Sequence, residues 1–100
     1  MRERGFSWSS SKAQANQQKH GVSFTDAVFV FGDPSRTERL DDRYRYGEER
    51  WVTTGMAHGR VLVVVYADDA DESNTTRLIS ARRAKKDERE RHYRARHGGR

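Results

Sequence analysis

Val61-Leu62-Val63-Val64-Val65-Tyr66 is apolar at every position. A strand with one wet face alternates apolar and polar residues, because successive side chains point to opposite sides. A run without alternation reads as a strand covered on both faces, and so as the centre of a sheet. Ala57-His58-Gly59 just upstream has hairpin-turn composition. Before it, residues 50–56 favour extended structure through Trp51, Val52, Thr53 and Thr54. Downstream, 68–74 is an acidic loop and 75–82 a further strand. Strict alternation there puts Arg77, Ile79 and Ala81 on one face, and Leu78, Ser80 and Arg82 on the other. Paired as a hairpin, 60–66 and 76–82 bring Arg60 near Arg82 at one end of the sheet. Arg77 then lies near Tyr66 at the other end. Residues 36–42 form a weaker, polar strand suited to an edge, and 44–49 a loop.

The period changes outside this meander. Gly5-Phe6-Ser7-Trp8 reads as a short strand. Ser9, Ser10 and Ser11 are N-cap candidates for a helix through 12–19. That helix should end at His20, because Gly21 suits the left-handed position past a helix end. A second helix follows at once, since Ser23-Phe24-Thr25-Asp26 has the spacing of a capping box. Phe24, Ala27, Val28 and Phe31 form its core stripe, and Gly32-Asp33-Pro34 ends it. A last helix is expected over 84–96, supported by Asp87/Arg91 and Glu90/Arg94 at i, i+4, with a frayed tail at 97–100. The order defines an α+β domain spanning 1–100, with an antiparallel sheet, N-terminal helices on one face and a C-terminal helix.

Composition narrows the chemistry. The 100 residues include no cysteine, which removes disulfides, thiolate zinc sites and cysteine nucleophiles together. No apolar leader follows Met1-Arg2-Glu3-Arg4, and the longest apolar run, 61–67, is far short of a membrane span. A soluble, cytoplasmic protein is expected. The net charge is +5, and it is unevenly spread. Residues 1–80 carry 11 Lys/Arg against 12 Asp/Glu, whereas 81–100 carry nine against three. A basic segment of this kind is a footprint for nucleic acid or an acidic protein, or else a solvated helix face. The four histidines, His20, His58, His92 and His97, show no metal-binding spacing, and cations surround the last two. Phosphate-binding glycine loops and the Gly-x-Ser-x-Gly elbow are absent, so neither a metal nor a cofactor is expected.

Cations and one well-placed histidine remain. RNA can be cut by its own 2′-hydroxyl if a base takes that proton, an acid protonates the leaving 5′-oxygen, and positive charge surrounds the phosphorane. His20, at a helix C-terminus beside Lys19, is the candidate for proton transfer. The competing reading is that both simply complement the helix dipole. Arg60, Arg77 and Arg82 can hold phosphate bidentately. Each could instead pair with a carboxylate such as Glu49 or Asp42. Trp8 and Trp51 suit a core. Tyr44 and Tyr46, in an Arg-Tyr-Arg-Tyr run, suit an exposed base-stacking surface.

Several segments resemble the BrnT toxin family. They are Phe6-Ser7-Trp8, Lys12-Ala13, Asn16, Lys19-His20-Gly21-Val22-Ser23-Phe24, Ala27-Val28-Phe29, Glu48-Glu49-Arg50-Trp51, Gly59-Arg60 with Leu62, and Arg77-Leu78-Ile79-Ser80-Ala81-Arg82-Arg83-Ala84. The resemblance covers roughly 6–94. One departure is Ser9, where the family carries an acidic residue; serine caps a helix equally well. The resemblance implies a RelE-like fold and a metal-independent endoribonuclease toxin of a type II toxin–antitoxin pair that inhibits translation. Its site would comprise Lys19, His20, Arg60, Arg77 and Arg82. It further implies a BrnA-like antitoxin with a ribbon-helix-helix part, a heterotetramer, and operator DNA contacted only through the antitoxin. The alternatives are a non-catalytic nucleic-acid- or partner-binding domain, and a structural subunit inert without its partner.

Overall fold

The apolar run lies within β4 (Arg60–Asp68), the middle strand of a five-stranded sheet. The structure is a computed structural model, and it describes residues 5–43, 45 and 47–98. The strand order is β1-β5-β4-β3-β2, where β1 is Gly5–Ser7, β2 Thr37–Leu40, β3 Trp51–Ala57 and β5 Thr75–Arg83. Strands β2 to β5 form an antiparallel meander, and β1 adds to β5 in parallel. The expected tyrosine platform at Tyr44 and Tyr46 lies outside the described residues.

Both faces of β4 are covered, which is why its sequence does not alternate. Leu62, Val64 and Tyr66 enter the main core with Val22, Phe24, Ala27, Val30, Leu78 and Ala81. Val61 and Val63 point the other way and pack with Val52 and Ala84, flanked by Met56 and Val65.

Helix α1 (Ser10–His20) has its N-cap at Ser9, whose hydroxyl accepts from the Lys12 N–H. It stops where Gly21 takes φ 69°, and the Gly21 N–H closes the turn on the Gln17 carbonyl at 2.8 Å. Ser23 then caps α2 (Phe24–Ala27) through the Asp26 N–H at 3.1 Å. The single helix expected here is in fact two pieces, because a 3₁₀ turn, Val28–Gly32, follows α2. Ala27 and Val30, one 3₁₀ turn apart, are both fully buried, so Val30 joins the core stripe.

The sheet corrects one expectation about β5. Val65 pairs with Ser80 but Tyr66 with Leu78, so Ile79 is an extra residue, a β-bulge. The bulge resets the alternation. Leu78 and Ala81, three apart, both face the main core, while Arg77, Ser80 and Arg82 share the opposite face. Arg60 pairs with Ala57 and lies on the core side, with Arg83 opposite Leu62. Arg60 and Arg82 are therefore at one end of the sheet but on opposite faces.

The C-terminal helix α3 spans Lys86–Gly98 and not 84–96. Ala84 continues the strand ladder, donating its N–H to the Val61 carbonyl at 2.9 Å, so the helix begins later. His97 and Gly98, expected in the frayed tail, are helical; residues 99 and 100 lie outside the described set. Among the described residues, no helix is long and apolar enough to cross a membrane.

Candidate active site

One buried polar side chain, Asn16, fixes where α1 ends against the sheet. Strand β1 pairs with β5 only as far as Arg77, which leaves the edge of β5 open at Ala81. Asn16 fills that gap from α1. Its Oδ1 accepts the Ala81 N–H at 3.0 Å, and its Nδ2 donates to the carbonyls of Ala81 (2.9 Å) and Val22 (3.0 Å). An amide satisfies one donor and two acceptors at once, so α1 is held to β5 one turn before it ends. Lys19 and His20, the last two residues of α1, consequently stand beside Ile79 and Ser80 at the bulge.

A groove of about 340 Å³ opens there. Lys19, His20 and Arg82 line one side, Arg39 and Arg43 the other, and Val52, Val63 and Val65 form its floor with Ser80. Among the described residues its polar rim is Lys19, Arg39, Arg43 and Arg82, with His20 and Ser80. Three of the five residues expected at the site, Lys19, His20 and Arg82, therefore come together. Arg60 and Arg77 do not. Arg60 lies 3.7 Å from Asp26 on the other face and lines a separate cleft with Arg83, Arg89 and Tyr93. Arg77 is paired with Glu48, which also accepts from Arg50 at 3.1 Å. The hydrogen bond from Arg77 holds the Glu48 carboxyl below the ordinary range.

Arg82 is held in place from the far side. Glu88, in the first turn of α3, receives Arg82 Nη1 at 2.8 Å and Nη2 at 2.9 Å, and its Oε1 also accepts the Lys85 N–H at 2.7 Å. The Arg82 hydrogen bonds pull the Glu88 carboxyl from 4.5 to about 2, and Glu88 in turn raises Arg82. This fork uses part of the guanidinium. Nε–H and one Nη2 proton have no partner among the described residues, so Arg82 retains donors for an anion.

A second histidine, His92, is structural. His92 is 1% exposed and meets Asp33 Oδ2 through Nε2 at 2.8 Å. Asp33 also accepts the Met56 N–H at 2.7 Å and the Ser35 N–H at 2.8 Å. Burial opposes ionisation of Asp33, but those N–H groups and His92 outweigh it and hold its carboxyl below the ordinary range. Trp51 packs on the main core, and Trp8 meets Phe24 edge-on at 5.8 Å, so neither stacks in the groove. Among the described residues, no group of His, Cys, Asp and Glu is placed to hold a metal.

Asn16, Arg39, Arg43 and Glu88 escaped the functional reading of the sequence. For Arg39 the available signal was its place on a polar edge strand, but its face depends on register with β3. For Glu88 the signal was its position three residues after Lys85, the spacing of a capping carboxylate.

A small α+β protein with four Lys/Arg side chains and a helix-end histidine around one groove has the charge that a polyanion would require. The chain belongs to the BrnT family: the family's profile, described as ribonuclease toxin, BrnT, of type II toxin-antitoxin system, matches residues 8–88. The matched span contains every residue of the groove and ends on Glu88. RNA as substrate and an antitoxin as partner follow from that membership. A search of the curated proteins finds no match.

Proposed function

We propose that the chain is a metal-independent endoribonuclease that cuts RNA in this groove and so inhibits translation. The observation that carries the reading is the convergence of Lys19, His20 and Arg82 around one groove, from the end of α1 and the bulged strand β5. The 2′-oxygen forms a bond to phosphorus as the bond to the 5′-oxygen breaks. One proton leaves the 2′-hydroxyl and another reaches the 5′-oxygen. His20 moves one of these protons with Lys19 assisting, and the free Arg82 donors stabilise the phosphorane. The products are a 2′,3′-cyclic phosphate and a 5′-hydroxyl. A cationic rim repels a divalent ion, which supports chemistry without metal.

Half-exposed His20 makes no contact on which the core depends, so His20→Ala should fold normally and lose cleavage by about 100-fold or more. Wild-type cleavage should persist in EDTA. Unchanged cleavage by the variant overturns the assignment of His20, and RNA binding without cleavage by the wild type reduces the groove to a binding surface.

Residues 1–100 act on this reading as one toxin domain in the cytoplasm. Its partner is a BrnA-like antitoxin whose ribbon-helix-helix part contacts operator DNA, in a heterotetramer. Family membership supports the antitoxin partner. Growth arrest on expression, relieved by a co-expressed antitoxin, is the expected result, with two copies of each chain by light scattering.

A further inference from the structure

The groove has a second wall, and its chemistry is not explained by one phosphate. Arg39 pairs with Val52, Val52 with Val65, and Val65 with Ser80, so these four residues form one row across β2, β3, β4 and β5 on the open face. Arg39 stands at one end of the row, and Ser80, with Arg82 and His20 close by, at the other. Three strand spacings separate the ends, about 14 Å. One phosphate cannot bridge that distance; successive phosphates of a single strand can. Between the walls lie Val52 and Val65, an uncharged floor suited to sugars and base edges.

The arginines of the groove also differ in how they are occupied. Arg82 is clasped by Glu88, and Arg43 by Asp41 through Nε at 2.8 Å and Nη2 at 3.1 Å. The exposed side chain of Arg39 has no ion pair or hydrogen bond among the described residues. An arginine on an edge strand also discourages sheet-to-sheet pairing. That role, however, does not depend on which face the side chain takes.

We propose that Arg39 binds a phosphate of single-stranded RNA that flanks the scissile one, and so fixes how the strand crosses the groove. The proposal rests on the ribonuclease reading, and Arg39 is a substrate-binding residue, remote from the reacting atoms. The probe is a short RNA oligonucleotide with 2′-O-methyl groups throughout, which lacks the attacking hydroxyl and binds without being cut. Arg39→Ala should raise its Kd about tenfold at moderate salt. It should also flatten the plot of log Kd against log salt by about 0.7, the contribution of one single-strand phosphate contact. Arg39→Lys should recover most of the affinity and the slope. With cleavable RNA the loss should appear in KM and leave kcat near wild type. Unchanged Kd and slope in Arg39→Ala overturn the proposal, as does a complete failure of the wild type to bind the probe. If the wild type binds but does not cut, the catalytic reading falls, while Kd and slope still decide the role of Arg39.

Discussion

At the scale of single residues, Asn16 has the most concentrated role. It closes the edge of β5 and sets where α1 ends, and therefore where Lys19 and His20 stand. Asn16→Ala leaves a buried N–H and two carbonyls without partners, which should cost about 2–4 kcal/mol in urea unfolding. Asn16→Asp turns two attractive contacts into carboxylate against carbonyl, and should recover little of that loss. Gly55 is a second sensitive position: a Cβ there would stand 2.9 Å from Val30 Cγ1 and 3.0 Å from Arg36 Cβ. Gly55→Ala should thus destabilise by about 1–3 kcal/mol through overpacking, read as a lower midpoint in urea. Both residues show where the sequence was silent. The caps at Ser9, Gly21 and Ser23 were legible because donor and acceptor lie within a few residues of each other. The partner of Asn16 is Ala81, 65 positions away, and no local pattern encodes it.

At the scale of elements, the strands were legible as strands, and the failure lay in their faces. One extra residue in β5 moved Arg77 to the side of Arg82, and alternation counted along the sequence cannot see a bulge. Helix α3 was legible from its charge pairs, one of which forms, Asp87 to Arg91 at 3.2 Å. How it docks was not. It is joined to the sheet at its first turn by Glu88 on Arg82 and further along by His92 on Asp33. The Glu88 carboxyl is depressed in the folded state, so its contribution is complete above about pH 4.5 and disappears as pH falls towards about 2. Asp33 acts in the same direction. Acid titration followed by far-UV circular dichroism should therefore show stability declining through this window. Glu88→Gln should cost about 1.5–3 kcal/mol at pH 7, and its stability should vary less between pH 4.5 and 2.

At the scale of the whole molecule, the two sheet faces have divided tasks. One is sealed by α1, α2 and the 3₁₀ turn, and carries the main core. On the other, Glu88 and His92 of α3 reach Arg82 and Asp33, and the groove lies beside that contact. The basic surplus in the last fifth of the sequence was visible at once. Its link to the groove was not, since that runs through an acidic residue, Glu88. Asp33 ties the faces together around the edge of β3, bonding Met56 on the strand and His92 on the helix. The pair is unequal. Asp33→Ala strands three donors and should cost about 2–4 kcal/mol. His92 already carries a buried Nδ1 with no partner in the structure described, so His92→Leu forfeits less. Chemical denaturation of the two variants side by side should rank them in that order; the reverse order would contradict the role assigned to Asp33.

The bulge at Ile79 has a consequence for how the gene tolerates changes in length. Because Ile79 is surplus to the ladder, an in-frame loss of its codon makes β5 regular and keeps Leu78 and Ala81 inward, with Arg77 and Arg82 outward. A codon gained between Ala81 and Arg82 reverses the facing of Arg82 and takes its guanidinium out of the groove, leaving Lys19 and His20 on that wall. Homologues aligned over this strand should show gaps near position 79 and avoid insertions beside Arg82, an asymmetry that no survey of point substitutions would reveal.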